Sequence, residues 1–249
     1  MNRDGRIVWQ YGKFGVTGLG PDQLNTPVQN TYFTVNDEDA RSNDQNGDSN
    51  AHVLITDQGN NRIIEVRLRD KQIVWQYEGL NSPNAAELLH NGNVLISDEN
   101  NNQALEVTHD YGRPSSIVHT YTQAGGMPFS GVAFASRLPN GHTLVTDSNN
   151  SRIVETDEKG TDFWHFVTNR RRDSNPSPLP TRAVRLANGD TLISDQFNHQ
   201  VIRVSDEGEI VATYGTINTP GFHLLDANVM NGPYSAYVIG DYTGLTPPF

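Results

Sequence analysis

Val53-Leu-Ile-Thr-Asp57, Val94-Leu-Ile-Ser-Asp98, Thr143-Leu-Val-Thr-Asp147 and Thr191-Leu-Ile-Ser-Asp195 are one line written four times. Tyr237-Val-Ile-Gly-Asp241 is a weaker fifth copy. Successive aspartates lie 41, 49, 48 and 46 residues apart. Short strands recurring at about 40–50 residues are the signature of propeller blades.

Each copy resolves into four strands around this run. The first strand (a) follows a proline: Pro27, Pro83, Pro128, Pro180 and Pro220. Asn91-Gly92, Asn140-Gly141 and Asn188-Gly189 then supply a tight turn, because glycine tolerates positive φ. The second strand (b) is the apolar run ending in Asp. A polar turn leads to the third strand (c), as in Arg62-Ile-Ile-Glu-Val66 and Gln103-Ala-Leu-Glu-Val107. The fourth strand (d) carries aromatics, as in Ile73-Val-Trp-Gln-Tyr77 and Asp162-Phe-Trp-His-Phe166, suited to packing between blades.

Ile7-Val-Trp-Gln-Tyr11 repeats residues 73–77 letter for letter, with no a, b or c strand ahead of it. The last copy offers a and b with no d after it. The expectation is an all-β propeller of four-stranded blades, five in number and forming one domain over 1–249. The N-terminal strand d pairs with the C-terminal blade, and ring closure removes the exposed sheet edge. Gly244-Leu-Thr-Pro-Pro-Phe249 is unsuited to a ladder, so a truncated six-bladed parent is the alternative.

Thr56-Asp-Gln-Gly-Asn-Asn-Arg-Ile-Ile-Glu-Val66 resembles the NHL repeat, and Val-Trp-Gln-Tyr in strand d is similar to the repeats of PQQ-like and arylsulfotransferase-like propellers. The resemblance covers nearly the whole chain. It implies the fold. These families include binding modules, lactonases, lyases and sulfotransferases, so it implies no one activity.

Charge narrows the partners. The chain of 249 residues carries 18 Lys+Arg against 29 Asp+Glu, a net charge of −11. Such a chain repels nucleic-acid phosphates and anionic membrane surfaces, although Arg170–Arg172 form one short basic run. The absence of Cys excludes a thiolate metal site and a Cys nucleophile. No apolar run approaches the ~20 residues of a membrane helix. Met1–Gly5 has no signal-peptide pattern, which suits a cytoplasmic chain or a mature extracellular domain. A monomer is expected.

The repeated Asp reads as structural, because an acceptor that recurs in every blade serves its own turn. An insertion in the first blade holds Asp44, Asn46 and Asp48, spaced like the start of a calcium loop. Ser49 stands where that loop needs Gly, and Ile55 stands at its twelfth position, so calcium competes with a plain acidic loop. The eight histidines show no zinc spacing. No other cofactor is indicated.

Propeller ligands sit at the axis, near the start of strand a, where blades are free to differ. Reading after each proline gives Val28-Gln29-Asn30, Asn84-Ala85-Ala86, Phe129-Ser130-Gly131, Thr181-Arg182-Ala183 and Gly221-Phe222-His223. Gln29, Asn30, Asn84, Arg182 and His223 are the axial candidates. One Arg among amides suits a carboxylate or sulfate, against the plain reading of a wet polar channel. Three functions follow. A non-enzymatic binding or scaffold propeller would hold a protein or small molecule on the axial face or rim loops. A propeller enzyme would be a calcium-dependent hydrolase or lyase, or sulfotransferase-like. A repeat fragment or engineered propeller would have no evolved ligand.

Overall fold

The computed structural model describes residues 4–35, 50–221 and 228–241. Four four-stranded antiparallel sheets form in simple a-b-c-d order. Blade 1 is β1 (Pro27–Thr34), β2 (Ala51–Asp57), β3 (Arg62–Arg67) and β4 (Ile73–Tyr77). Blade 2 is β5 (Pro83–Leu88), β6 (Val94–Asp98), β7 (Gln103–Val107) and β8 (Ile117–Tyr121). A two-stranded hairpin follows, β9 (Gln123–Ala124) and β10 (Met127–Pro128). Blade 3 is β11 (Val132–Arg137), β12 (Thr143–Asp147), β13 (Arg152–Thr156) and β14 (Asp162–Val167). Blade 4 is β15 (Pro180–Arg185), β16 (Thr191–Asp195), β17 (Gln200–Val204) and β18 (Ile210–Tyr214).

The blades pack face to face through apolar layers. Leu54, Ile63 and Trp75 of blade 1 meet Ala86, Val94, Ile96 and Leu105 of blade 2. Leu95, Ala104 and Tyr121 meet Val132, Ala135, Val145 and Val154 of blade 3. Leu144 and Ile153 meet Ala183, Ile193 and Ile202 of blade 4. Strands b and c are buried on both faces, so they read as continuous apolar runs rather than alternating ones.

Among the described residues four blades stand, where five, or a truncated six, were expected. The fifth aspartate, Asp241, ends no strand; its carboxylate accepts the Ala187 backbone N–H at 3.0 Å. Residues 232–237 nevertheless follow the pattern that opens each blade. Gly232 has φ +59°, like Thr26 (+51°), Ser82 (+53°), Gly131 (+63°) and Leu179 (+47°), each just ahead of strand a. Ala236 packs on Leu186, Leu192 and Val201 of blade 4. The segment lies where a further strand a would lie, without a sheet behind it among the described residues, and Pro233 rather than Pro220 opens it.

Ile7–Tyr11 forms no strand, and its expected pairing with a C-terminal blade is not among the described contacts. Trp9 and Tyr11 instead pack on Val53, Ile55, Ile64 and Val66 of blade 1, and Trp9 Nε1 donates to the Leu68 carbonyl at 3.0 Å. Their rings stack at 6.4 Å and 19°; those of Trp75 and Tyr77 stack at 6.5 Å and 19°. The segment therefore rests on blade 1 as β4 rests on blade 2. In the third copy, strand a begins at Val132, because Pro128 belongs to the β9–β10 hairpin.

The repeated aspartates tie each blade together. Asp57, Asp98 and Asp147 are essentially buried, and each Oδ1 accepts a backbone N–H at 2.7 Å from Asn25, Asn81 or Ser130, two residues before strand a. Each Oδ2 accepts from the Asn three residues on (Asn60, Asn101, Asn150) and from the residue five on (Arg62, Gln103, Arg152). A short 3₁₀ turn places these donors and ends in a left-handed residue such as Asn61 or Asn102.

Blade 4 breaks this clasp at one atom. Its residue two before strand a is Pro178, which has no N–H to give. Asp195 Oδ1 has no hydrogen-bond partner. Asn198 donates at 2.7 Å, and Arg171 reaches in from the blade 3–4 connection. Burial outweighs these donors and raises Asp195 from 3.8 to about 6.

A second repeated charge sits between blades. Glu106 of β7 accepts from Arg137 of β11 at 2.6 Å, and Glu155 of β13 accepts from Arg185 of β15 at 2.9 Å. The β5 residue equivalent to Arg137 and Arg185 is Leu88, which carries no charge, and Glu65 of β3 takes other partners. It is fully buried and takes His52, His109 and Tyr111 as partners. Burial pushes Glu65 up, but the bonds from His109, His52 and Tyr111 outweigh it, leaving the carboxyl below its ordinary value.

Two outcomes follow from the clasp. Asp147→Ala leaves the Arg152 guanidinium buried without its carboxylate, so urea denaturation should show a loss of about 3–5 kcal/mol. An unchanged midpoint would show that the clasp is dispensable. Asp195 binds its proton more tightly folded than unfolded. Its contribution is favourable below the unfolded value near 3.8, and is lost as pH rises through about 6. The full effect is on the order of 3 kcal/mol. Pro178→Asn restores the missing N–H, so its gain over the parent should grow between pH 5 and 7.5; a pH-independent difference would refute the assignment.

Candidate functional site

Every blade begins with a bulge. Pairing skips from Pro27 to Gln29, Pro83 to Ala85, Val132 to Phe134 and Pro180 to Arg182 against strand b. A bulge re-aims consecutive side chains. Here it presents two adjacent residues per blade to the axis: Val28 and Gln29, Asn84 and Ala85, Ala133 and Phe134, Thr181 and Arg182. All eight line a single cavity of about 180 Å³. Tyr234, Ser235 and Tyr237 supply its remaining side, and Asn30 completes it.

Gln29, Ala85, Phe134 and Arg182 hold equivalent places, facing Thr56, Ser97, Thr146 and Ser194 across the ladder. Four equivalent positions thus carry an amide, a methyl, a phenyl and a guanidinium. Repeats that agree elsewhere disagree here.

Arg182 has the least ordinary surroundings. Its guanidinium carbon lies 3.9 Å from the Phe134 ring centroid and 4.8 Å from that of Tyr237. Its side chain is only 11% exposed, and Nε has no hydrogen-bond partner. Glu87 Oε1 stands 3.7 Å from Nη2, beyond hydrogen-bond reach. Burial lowers the Arg182 pKa from its ordinary value, and the guanidinium keeps its charge.

The roof is held by two hydrogen bonds. Tyr234 Oη donates to Asn84 Oδ1 at 2.6 Å, and Thr181 Oγ1 donates to the Tyr234 carbonyl at 2.6 Å. Burial raises the Tyr234 hydroxyl above its ordinary value. Gln29 Oε1 accepts the Ala86 N–H at 3.0 Å, so its amide N–H groups remain for the cavity.

Of the five axial residues expected from sequence, Gln29, Asn30, Asn84 and Arg182 meet in this cavity. His223 lies outside the described residues, as do the calcium candidates Asp44, Asn46 and Asp48. Among the described residues no cluster of three or more His, Asp or Glu is placed to hold a metal ion. Phe134 and Ala133 were missed because Pro128 marked the wrong start. Tyr234 and Tyr237 were missed because their stretch reads as strand b. Gly232-Pro233 was the available signal, matching Ser82-Pro83. No helix among the described residues is long and apolar enough to cross a membrane.

The four sheets and their axial cavity define a β-propeller. No protein-family model matches the chain, and no curated protein matches it in sequence. The NHL and PQQ-like resemblance accordingly stays one of motifs. Among solved structures, virginiamycin B lyase from Staphylococcus aureus aligns at 19% identity with a TM-score of 0.48, covering 69% of this chain and 54% of that one. A streptogramin B lyase aligns at 17% identity and 0.49, covering 68% and 52%. Kuenenia stuttgartiensis hydrazine synthase aligns at 11% and 0.48, covering 67% and 46%. The chain spans about half the length of these structures.

Proposed function

We propose that the chain is a non-enzymatic binding propeller that holds a small molecule at its axial face. The observation that carries this reading is the asymmetry of the axis. Strands b and c keep nearly the same residues from blade to blade, while the bulge positions carry four different chemistries around one cavity. Arg137 and Arg185 also have an unpaired Nε, but each bonds a Glu at 2.6 or 2.9 Å, and packing alone gives no reason to bury Arg182 without such a bond. A pocket with a few convergent polar groups on an apolar wall is the usual form of a ligand site.

An axial enzyme would need an acid–base pair or a nucleophile beside its base. Among the described lining residues no nucleophile is hydrogen-bonded to a base, and this supports the binding reading. The rim is the second surface available to a partner. Its 168–179 connection already commits Arg171 to Asp195 and Ser174 to Asn198, which suits structure more than recruitment.

Ala85→Phe fills the axis from its smallest wall. Ligand-observed NMR with a library of fragment-sized compounds should give saturable binders to the parent that compete with one another. Those binders should be lost in the variant while its melting temperature is kept. Binders that survive Ala85→Phe would move the site off the axis.

A further inference from the structure

Resting on the axial-site reading, we infer that the ligand is a small planar monocarboxylate with an aromatic or similarly flat body. Three features of the cavity select this class.

The first is Arg182. Arg182 lines the cavity and its guanidinium makes no hydrogen bond to a described residue, and unmet N–H groups are costly away from water. A carboxylate is planar and matches two parallel guanidinium N–H groups, giving paired charge-assisted bonds. The Phe134 and Tyr237 ring centroids lie 3.9 and 4.8 Å from the guanidinium carbon, and such bonds would form where the guanidinium lines the cavity. Amide N–H groups of Gln29 and Asn30 are further donors within the same lining.

The second is Glu87. Its carboxylate lies 3.7 Å from Arg182 and is itself only 3% exposed. The two fixed charges nearly cancel. One further negative charge is accommodated by hydrogen bonds to Arg182, whose Nη2 lies 3.7 Å from Glu87 Oε1. A second would meet Glu87 in a weakly screened interior. Phosphate monoesters are thereby disfavoured, although a lone Arg would suit them on charge alone.

The third is size and shape. The cavity of about 180 Å³ lies below the ~300–1,000 Å³ usual for drug-sized ligands, so a small molecule suits it. Ala85 and Ala133 are small residues on its wall, beside the Phe134 ring. A flat body fits against these methyl groups, and its carboxylate then points at Arg182.

Benzoate, benzamide and phenyl phosphate separate these features without any variant, because they share a ring and differ in charge. Isothermal titration should show benzoate binding about tenfold or more tighter than both others, the margin expected of charge-assisted hydrogen bonds. Arg182→Gln should remove that margin over benzamide. Arg182→Lys, which keeps the charge and loses the fork, should restore only part of it. Should Arg182→Gln fail to fold, the wild-type ranking still decides. Equal binding of benzoate and benzamide, both lost in Ala85→Phe, would overturn the carboxylate class and leave the axial site standing. Preference for phenyl phosphate would overturn the monoanion argument. Binding of none of the three, beside other axial binders, would overturn the class as well.

Discussion

The buried aspartate at the end of strand b is the constraint on which the rest depends. It faces a backbone N–H ahead of strand a, an Asn in the following turn and a donor on strand c. One carboxylate therefore fixes three segments of the same blade. Such a group is stable in the interior only if its acceptor sites are filled. Filling them sets where strand a begins, and so where the bulge falls. The axial cavity is a downstream result of that register. Blade 4 shows the rule by exception: with Pro178 in the donor position, Asp195 recruits Arg171 from a neighbouring connection and still holds its proton more tightly than an ordinary carboxylate.

The blade interfaces obey a looser rule. Apolar layers carry most of the contact, and each layer is pinned at its outer end by a polar set. Glu106 and Glu155 use an Arg from the next blade. Glu65 uses two His and a Tyr, because Leu88 offers no charge. In blade 4 the equivalent residue is Arg203 of β17, which meets Asp190 of its own blade at 3.0 Å rather than a neighbouring blade. Opposite charges in each place satisfy the same local need, so these positions vary in identity without altering the stacking.

Much of the fold was legible because blades are local. Each sheet is a meander whose four strands follow one another in sequence, so a period of apolar runs and turns marks it without any long-range inference. Strands b and c read correctly in all four blades, since Asp and the turn after it punctuate them. Strand a was harder. A proline marks it only where nothing intervenes, and the β9–β10 hairpin placed Pro128 four residues too early. Tyr237–Asp241 matched strand b in letters but lacks the Asn-rich turn that would use its Asp. The four axial candidates that share the cavity stood out in the sequence because blades disagree there. Their company did not: that Arg182 lies against Phe134 and Tyr237 depends on bulge register and on a segment that forms no ladder, and neither leaves a periodic trace.

The identical segments Ile7–Tyr11 and Ile73–Tyr77 stack their aromatic pairs with the same geometry on successive blades. A unit contiguous in the chain, whose outer strand seats on any neighbour bearing the right apolar face, can be copied whole. Tandem duplication of one blade-length stretch of coding sequence would then lengthen the protein by a ready-made part. Later divergence would be free at the bulge residues and restrained at the aspartate. The two segments are best understood as sister copies that have kept the letters their seat requires.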